Sequence, residues 1–75
     1  VYIDTEAAAV TLTVEEVPAG TRVTVINDAD TTAQEITLAG GEGVDLSGTV
    51  AAAAGNVVEL IHVQGGNVVA TGDLV

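Results

Sequence analysis

The chain has 75 residues and carries one basic residue against eleven Asp and Glu, a formal net charge of −10 at pH 7. This charge repels phosphate groups, which argues against a nucleic-acid partner and against an anionic membrane surface. The chain has no cysteine, which excludes disulfides and thiolate metal sites. Hydrophobic residues make up 48% but aromatic residues only 1%, so a core of small side chains buries limited area and we expect a partner subunit to add stability.

Targeting signals are not visible in this sequence. No run reaches the roughly 18–20 apolar residues of a membrane helix, and no basic segment precedes an apolar one as in a signal peptide. The sequence begins at Val1 and contains no Met. Removal of an initiator Met would explain this, as would proteolytic maturation or an engineered start. The first explanation is preferred and predicts synthesis in a cytoplasm, without export by a signal peptide.

The first half of the chain predicts three strands. Residues 1–75 are predicted to form a single domain. Val1–Thr5 is either a short strand of this domain or an ordered arm. In the second case the extended N-terminal arm covers residues 1–9. Val10–Val14 alternates aliphatic residues with Thr, which is typical of a half-buried strand. Pro18–Gly20 marks a turn. Thr21–Asn27 is the next strand, with Val23 and Val25 facing one way and Arg22, Thr24 and Ile26 facing the other.

The second half predicts further strands and a hairpin. Gln34–Leu38 alternates, with Ile36 and Leu38 inward, and Val44–Ser47 is a short strand. Thr49–Ala54 is a strand or one helical turn, and its strand-forming neighbours favour the strand. The most apolar part is a hairpin, because glycine accepts the positive φ of a tight turn. Its two strands and its turn are Val57–Val63, Asn67–Thr71 and Gln64–Gly66.

Strands that recur about every ten residues, separated by Gly or Pro, are typical of all-β folds. The sequence therefore predicts a small antiparallel β-sandwich or barrel of about six to seven short strands. Uncharged, β-branched strand edges favour pairing with another chain. Together with the small-residue core, this predicts that the chain forms an oligomer.

No constellation of catalytic residues is present, so the chain is not predicted to be an enzyme or to need a cofactor. His62 is the only histidine, and strand alternation places it on the opposite face from Glu59. A lone histidine can be a general base or a metal ligand, but without a companion ligand a structural or interface role is favoured. Ser47 is the only serine and lies in no nucleophile pattern.

Acidic and glycine-rich segments offer weak alternatives. Asp28 and Asp30 flank Ala29 as oxygen ligands do at the start of a calcium loop, but the later glycine and glutamate of such a loop are missing, so an ordinary Asx turn is favoured. The adjacent Glu15 and Glu16 point apart in an extended segment and do not form a glycosidase pair. Residues 40–43 lack the lysine of a phosphate loop. We therefore predict no metal site.

A partner-binding role is predicted for four residues. Arg22 is the only cation, so it forms either a weak surface ion pair or an interface anchor. Tyr2 is the only aromatic residue, and tyrosine is enriched at interfaces because it buries a large area and keeps a hydroxyl to bond. Val1 and Ile3 flank it in the N-terminal segment, which is predicted to dock on a partner or to be an edge strand of its own sheet.

The order of these segments resembles a known kind of module. VTLTVEEVPAGTRVTVIN, then ITLAGGEG, AAGNVVEL and GGNVVATG, look like the small all-β modules of tailed-bacteriophage virions. The matching segments are Val10–Val14, Pro18–Asn27, Ile36–Gly43, Ala53–Leu60 and Gly65–Gly72.

This resemblance implies a structural virion protein on the capsid surface. A chain of this length is expected to be a capsid decoration (cement) protein, because fibres normally carry such modules inside long chains. It would trimerise and bind the major capsid protein. Two alternatives stay open: a trimeric fibre or spike module, and a soluble ligand- or metal-binding β domain.

Overall fold

The computed structural model describes residues 1–29 and 32–75. Seven strands form a four-stranded sheet A, in the order β1-β3-β6-β7, and a three-stranded sheet B, in the order β2-β4-β5. No α-helix occurs in the described part of the chain, which confirms the all-β prediction, and within it no helix is long and apolar enough to cross a membrane. The strands are β1 Tyr2–Asp4, β2 Val10–Val14, β3 Arg22–Asp28, β4 Ile36–Gly40, β5 Ser47–Val50, β6 Val57–His62 and β7 Val68–Gly72.

Both sheets are mixed, so the prediction of a purely antiparallel fold is wrong for two strand pairs. β1 pairs with β3 in parallel, and β2 pairs with β4 in parallel. The reason is the path of the chain, which alternates between the sheets over its first four strands. Parallel strands need a long crossover connection, and here each crossover contains a complete strand of the other sheet. The pairs β3–β6, β4–β5 and β6–β7 are antiparallel.

One apolar core joins the inward faces of both sheets. Strand alternation turns every second residue inward, as predicted for β2, β3 and β4. Sheet A contributes three fully buried aliphatic side chains and sheet B contributes three. Burying each of these side chains contributes about 1.5–3 kcal/mol. The six residues are Val25, Val58 and Leu60 from sheet A, and Ile36, Leu38 and Val50 from sheet B.

The predicted hairpin is formed by β6 and β7, with Gln64–Gly66 as a 3₁₀ turn between them. Gly65 has φ +78° and Gly66 has φ +76°, values that L-residues rarely adopt. A Cβ on Gly66 would also collide with the carbonyl oxygen of Gly43. The Gly66 carbonyl accepts a hydrogen bond of 2.8 Å from the Asp45 amide, so this turn ties the hairpin to the segment that precedes β5.

Two strand predictions between β4 and β6 are wrong. Of the predicted strand Val44–Ser47, only Ser47 lies in a strand, as the first residue of β5, because the Val44 amide bonds back to the Gly41 carbonyl in a turn and the Asp45 amide bonds to Gly66. The strand β5 ends at Val50, so most of Thr49–Ala54 lies outside it. The Ala51 carbonyl accepts instead from the side chains of Asn27 and Asn56, which ends the ladder.

A buried polar cluster lies where three connections meet the end of β3. Asn27, near the end of β3, and Thr5, just after β1, are both fully buried. The Thr5 hydroxyl donates to Asn27 Oδ1 at 2.6 Å, and Asn27 Nδ2 donates to the carbonyls of Gln34 at 2.8 Å and Ala51 at 3.3 Å. The Gln34 amide donates to Thr5 Oγ1 at 3.0 Å. Because buried polar groups are costly unless they are bonded, this cluster fixes the connections relative to both sheets.

Candidate partner-binding face

The outward face of sheet A carries a row of apolar side chains across three strands. Tyr2 on β1 pairs with Ile26 on β3, and Ile26 pairs with Val57 on β6. Paired residues project to the same side of a sheet, so the three side chains are neighbours. Tyr2 is 71% exposed and Val57 is 40% exposed, whereas Ile26 is half-buried between them. The row therefore presents an apolar strip to its surroundings, bordered on the same face by the paired Asp4 and Asp28.

A second row crosses the same face nearer the other end of β3. Arg22 pairs with Ile61, and Ile61 pairs with the exposed Val69 on β7. Between the rows lies Glu59, whose Oε1 is 3.0 Å from Arg22 Nη1. We name this surface the docking face and define it by seven residues that alternate outward from sheet A: Tyr2, Arg22, Ile26, Val57, Glu59, Ile61 and Val69.

The ion pair on the docking face neutralises the only cation of the chain. The side chains of Arg22 and Glu59 are 65% and 39% exposed, so solvent screens their attraction and the pair adds little stability. The surface-pair alternative for Arg22 is therefore present in the structure. At this exposure the guanidinium can still donate from its other N–H groups to a partner carboxylate or carbonyl.

The structure brings together two of the four residues predicted to bind a partner. Tyr2 and Arg22 lie on the docking face, whereas the side chain of Ile3 packs against the core on the opposite side of β1. The Val1 backbone nitrogen donates to the Thr24 carbonyl at 2.6 Å, and the Val1 carbonyl accepts from the Ile26 amide at 2.8 Å. The N-terminal segment thus lies along β3 and contains the edge strand of sheet A.

Besides Glu59, four aliphatic docking-face residues were not assigned to a partner site from the sequence. They are Ile26, Val57, Ile61 and Val69. For Ile26 the signal was present, because the alternation of β3 placed it beside Arg22 and Thr24. For the other three, only the register of β6 against β3 and β7 shows which face they share.

The outward face of sheet B differs in chemistry. Thr11 pairs with Thr37, and Thr37 pairs with Thr49. Thr13 pairs with Ala39, which pairs with Ser47. This face therefore presents Thr and Ser hydroxyl groups, which water solvates well, beside small methyl groups, and it has none of the large apolar side chains of the docking face.

His62 is placed in the core and not at a site. Its side chain is 3% exposed and shares the inward face of β6 with Val58 and Leu60, whereas Glu59 points outward, as the alternation predicts. Nε2 has no hydrogen-bond partner among the described residues. Those residues also contain no group of three His, Cys, Asp or Glu that could hold a metal ion. The favoured structural role of His62 agrees with this burial.

The other sequence candidates do not assemble into a catalytic arrangement. Asp28 pairs with Asp4, and with Glu6 and Ala29 they line a small pocket of about 100 Å³, while Asp30 lies outside the described residues. Asp4 Oδ1 accepts from the Glu6 amide at 2.9 Å, which is the local side-chain bonding of an Asx turn.

A larger open cleft lies at the other end of sheet A. Its volume is about 430 Å³, and one of its walls runs from Glu16 to Ala19 and the other from Val63 to Gly66. Apart from Glu16 and Gln64, its walls offer backbone and aliphatic groups. Ser47 lies on β5 and is not part of this lining.

Comparison of the chain with protein-family models, with curated proteins and with solved structures found no match. The all-β fold and the docking face therefore stand on the geometry described above.

Proposed function

We propose that this chain is a structural virion protein, a capsid decoration protein that forms a trimer and binds the outside of a phage capsid. In this proposal the two sheets form a β-sandwich. The observation that carries it is the docking face: an apolar row with an exposed tyrosine, on the same sheet face as an arginine, in a small domain without a catalytic arrangement in its described part. Exposed aromatic and arginine side chains are the residue types enriched in protein interfaces.

The charge distribution supports the docking face as the side that meets the capsid. The chain carries a net charge of −10, so its contact surface should contain few carboxylates that lack a positive charge beside them. On this side of sheet A, Arg22 compensates Glu59 at 3.0 Å, whereas the paired Asp4 and Asp28 border the row of Tyr2 and Ile26, so basic groups of the partner are expected opposite them. Burial of the Tyr2, Ile26 and Val57 side chains against a shell subunit would then contribute about 25 cal/mol for each Å² removed from water.

Stabilisation of the shell would follow from mass action. A protein that binds only the assembled shell lowers its free energy by an amount that grows with the logarithm of its concentration over its dissociation constant. A surface that repels nucleic acid suits this role. The trimer would bring three docking faces to neighbouring shell subunits, which raises the effective affinity of each.

The trimer boundary is proposed at the open cleft. Val17 and Val63 lie on its two walls and are 37% and 39% exposed. These valines do not belong to the docking face, so a contact between copies here leaves that face available for the shell. Substitution of both by Ser is expected to convert the trimer to a monomer in light scattering at micromolar concentration. A monodisperse wild-type monomer, together with no contact between copies on the shell, would contradict the trimer.

The shell-binding proposal is tested with capsids assembled from the major capsid protein of the same source. The double variant Tyr2→Ala, Val57→Ser is expected to lose co-sedimentation with these capsids while it keeps its circular dichroism spectrum. The matched control is Thr11→Ala, Thr37→Ala, which shortens the same number of side chains on sheet B and should bind as the wild type does. Equal binding by both variants, or no binding by the wild type, would refute the proposal.

A trimeric fibre or spike module is the second candidate. The principal extents of 38 × 18 × 18 Å favour it, because elongated copies can lie side by side around a fibre axis. The two candidates differ in what buries the docking face: the shell for a decoration protein, a neighbouring copy for a fibre. A Tyr2→Ala, Val57→Ser variant that becomes monomeric would favour the fibre module.

A further inference from the structure

Among the described residues, the strand β2 is an edge strand whose backbone groups on the outer side have no strand partner. Sheet B has the order β2-β4-β5, so in the described part of the chain β4 is the only strand that pairs with β2. The opposite edge of this sheet differs, because the Ala51 amide donates to the Asp73 carbonyl and the Val75 amide donates to the Thr49 carbonyl. The C-terminal residues thus cover β5, and β2 remains the exposed edge.

The parallel register shows which groups of β2 point outward. The Val10 amide donates to the Glu35 carbonyl, and the Val14 carbonyl accepts from the Gly41 amide. In a parallel ladder alternate residues bond to the neighbour, so Leu12 also bonds towards β4. The N–H and C=O groups of Thr11 and Thr13 therefore point away from the sheet, where they can pair with a further strand.

The side chains of this edge lack the features that protect other edges from pairing. Folded proteins block exposed edges with charged residues, proline or bulges, but β2 has the sequence Val-Thr-Leu-Thr-Val with continuous pairing to β4. Carboxylates flank it at both ends: Glu35, whose carbonyl accepts from the Val10 amide, lies near its start, and Glu15 and Glu16 follow its end. An uncharged central strand with acidic ends defines the chemistry of its partner.

We propose that β2 accepts an extended segment of another protein, in which about five β-branched or apolar residues are flanked by Lys or Arg. Such strand addition uses the outward N–H and C=O groups of Thr11 and Thr13 for affinity and the terminal carboxylates for specificity. A second copy of this chain fits poorly, because the acidic ends of two β2 strands would face a chain that also carries a net charge of −10. The partner segment therefore belongs to a different, basic protein.

The probe for this edge is a labelled peptide, acetyl-KRVTVTVRK-amide, titrated with the protein and followed by fluorescence anisotropy. Saturable binding is expected at low salt, and it should weaken as salt rises because the flanking charges are exposed. The acidic analogue acetyl-EEVTVTVEE-amide should not bind. A basic peptide N-methylated at alternate residues cannot donate to the edge, and we expect it to bind about tenfold more weakly.

Variants of the protein test the same contact from the other side. Thr13→Pro removes an outward N–H without removing a bond to β4, a position where edge strands tolerate proline, and should weaken the basic peptide about tenfold. The matched control Thr13→Val keeps this N–H and should bind as the wild type does. Equal binding of the N-methylated and parent peptides, or of the acidic and basic peptides, would overturn the proposal even if Thr13→Pro does not fold. Loss of peptide binding in Tyr2→Ala, Val57→Ser would also overturn it, because the peptide would then occupy the docking face. The proposal does not depend on capsid binding.

Discussion

Asn27 offers the sharpest test of how the two sheets are held together. Its side chain is fully buried and bonds to three partners that lie far apart in the sequence. Asn27→Ala removes all three bonds. The Ala51 carbonyl keeps the hydrogen bond of 3.1 Å from Asn56 Nδ2, and Thr5 Oγ1 still accepts from the Gln34 amide. Two groups lose their partner: the Thr5 hydroxyl hydrogen and the Gln34 carbonyl.

The expected loss follows from these two groups. A buried polar group left without a partner costs about 1–3 kcal/mol, so the loss of two partners in Asn27→Ala should lower the free energy of unfolding by about 2–6 kcal/mol. Typical stabilities of 0.05–0.15 kcal/mol per residue imply about 4–11 kcal/mol for a chain of this length. One amide side chain would therefore account for a large part of the total stability.

Equilibrium urea unfolding followed by far-UV circular dichroism measures this loss. The control is Asn56→Ala, which removes one hydrogen bond from a half-buried position and leaves the Ala51 carbonyl bonded to Asn27. It should cost about 0.5–1.5 kcal/mol. The variant Thr5→Val then completes a double-mutant cycle, in which we expect a coupling of about 0.5–3 kcal/mol between Thr5 and Asn27. If Asn27→Ala and Asn56→Ala agree within about 0.5 kcal/mol, the cluster does not act as described.

Two further substitutions test the core and the hairpin turn. His62→Leu should leave the free energy of unfolding nearly unchanged or raise it, because it replaces a buried ring whose Nε2 is unpaired in the described structure. His62→Ala should lower the free energy of unfolding by about 2 kcal/mol or more, because it leaves a cavity. Equal losses of the two variants in thermal unfolding would contradict this difference. Gly66→Ala should destabilise more than Gly55→Ala, since both residues have positive φ but only the new Cβ at Gly66 meets the Gly43 carbonyl; equal urea midpoints for the two variants would show that the collision is relieved at no cost.

Local patterns predicted which way side chains point but not which strands are neighbours. Alternation in Val10–Val14 and in β3 assigned the inward and outward residues as the structure has them. This works because the period of two is a property of a single strand. The parallel pairing of β2 with β4 depends on where the chain crosses between sheets, and no short window of the sequence contains that information.

The docking face shows the same division. Which residues share this face depends on the register of four strands. Tyr2 and Arg22 were predicted to bind a partner from their residue types alone, whereas Val57 and Val69 could be placed on the face only from the register. The alanine run was misassigned for a related reason. Ala51 has no side chain that favours either structure, and its hydrogen bonds are decided by the distant Asn27 and Asp73.

The crossing of the chain between its two sheets also sets an order for folding. The antiparallel pairs β4–β5 and β6–β7 close short loops, so their entropic cost is small and we expect them to form first. Each parallel pair must wait until the strand in its crossover has a place in the other sheet, so β1 joins late and refolding is slow for a chain of this size. A strand that joins late and makes few contacts also opens easily. The Ile3 amide in β1 should therefore exchange its hydrogen for deuterium long before the Val25 amide at the centre of the same sheet.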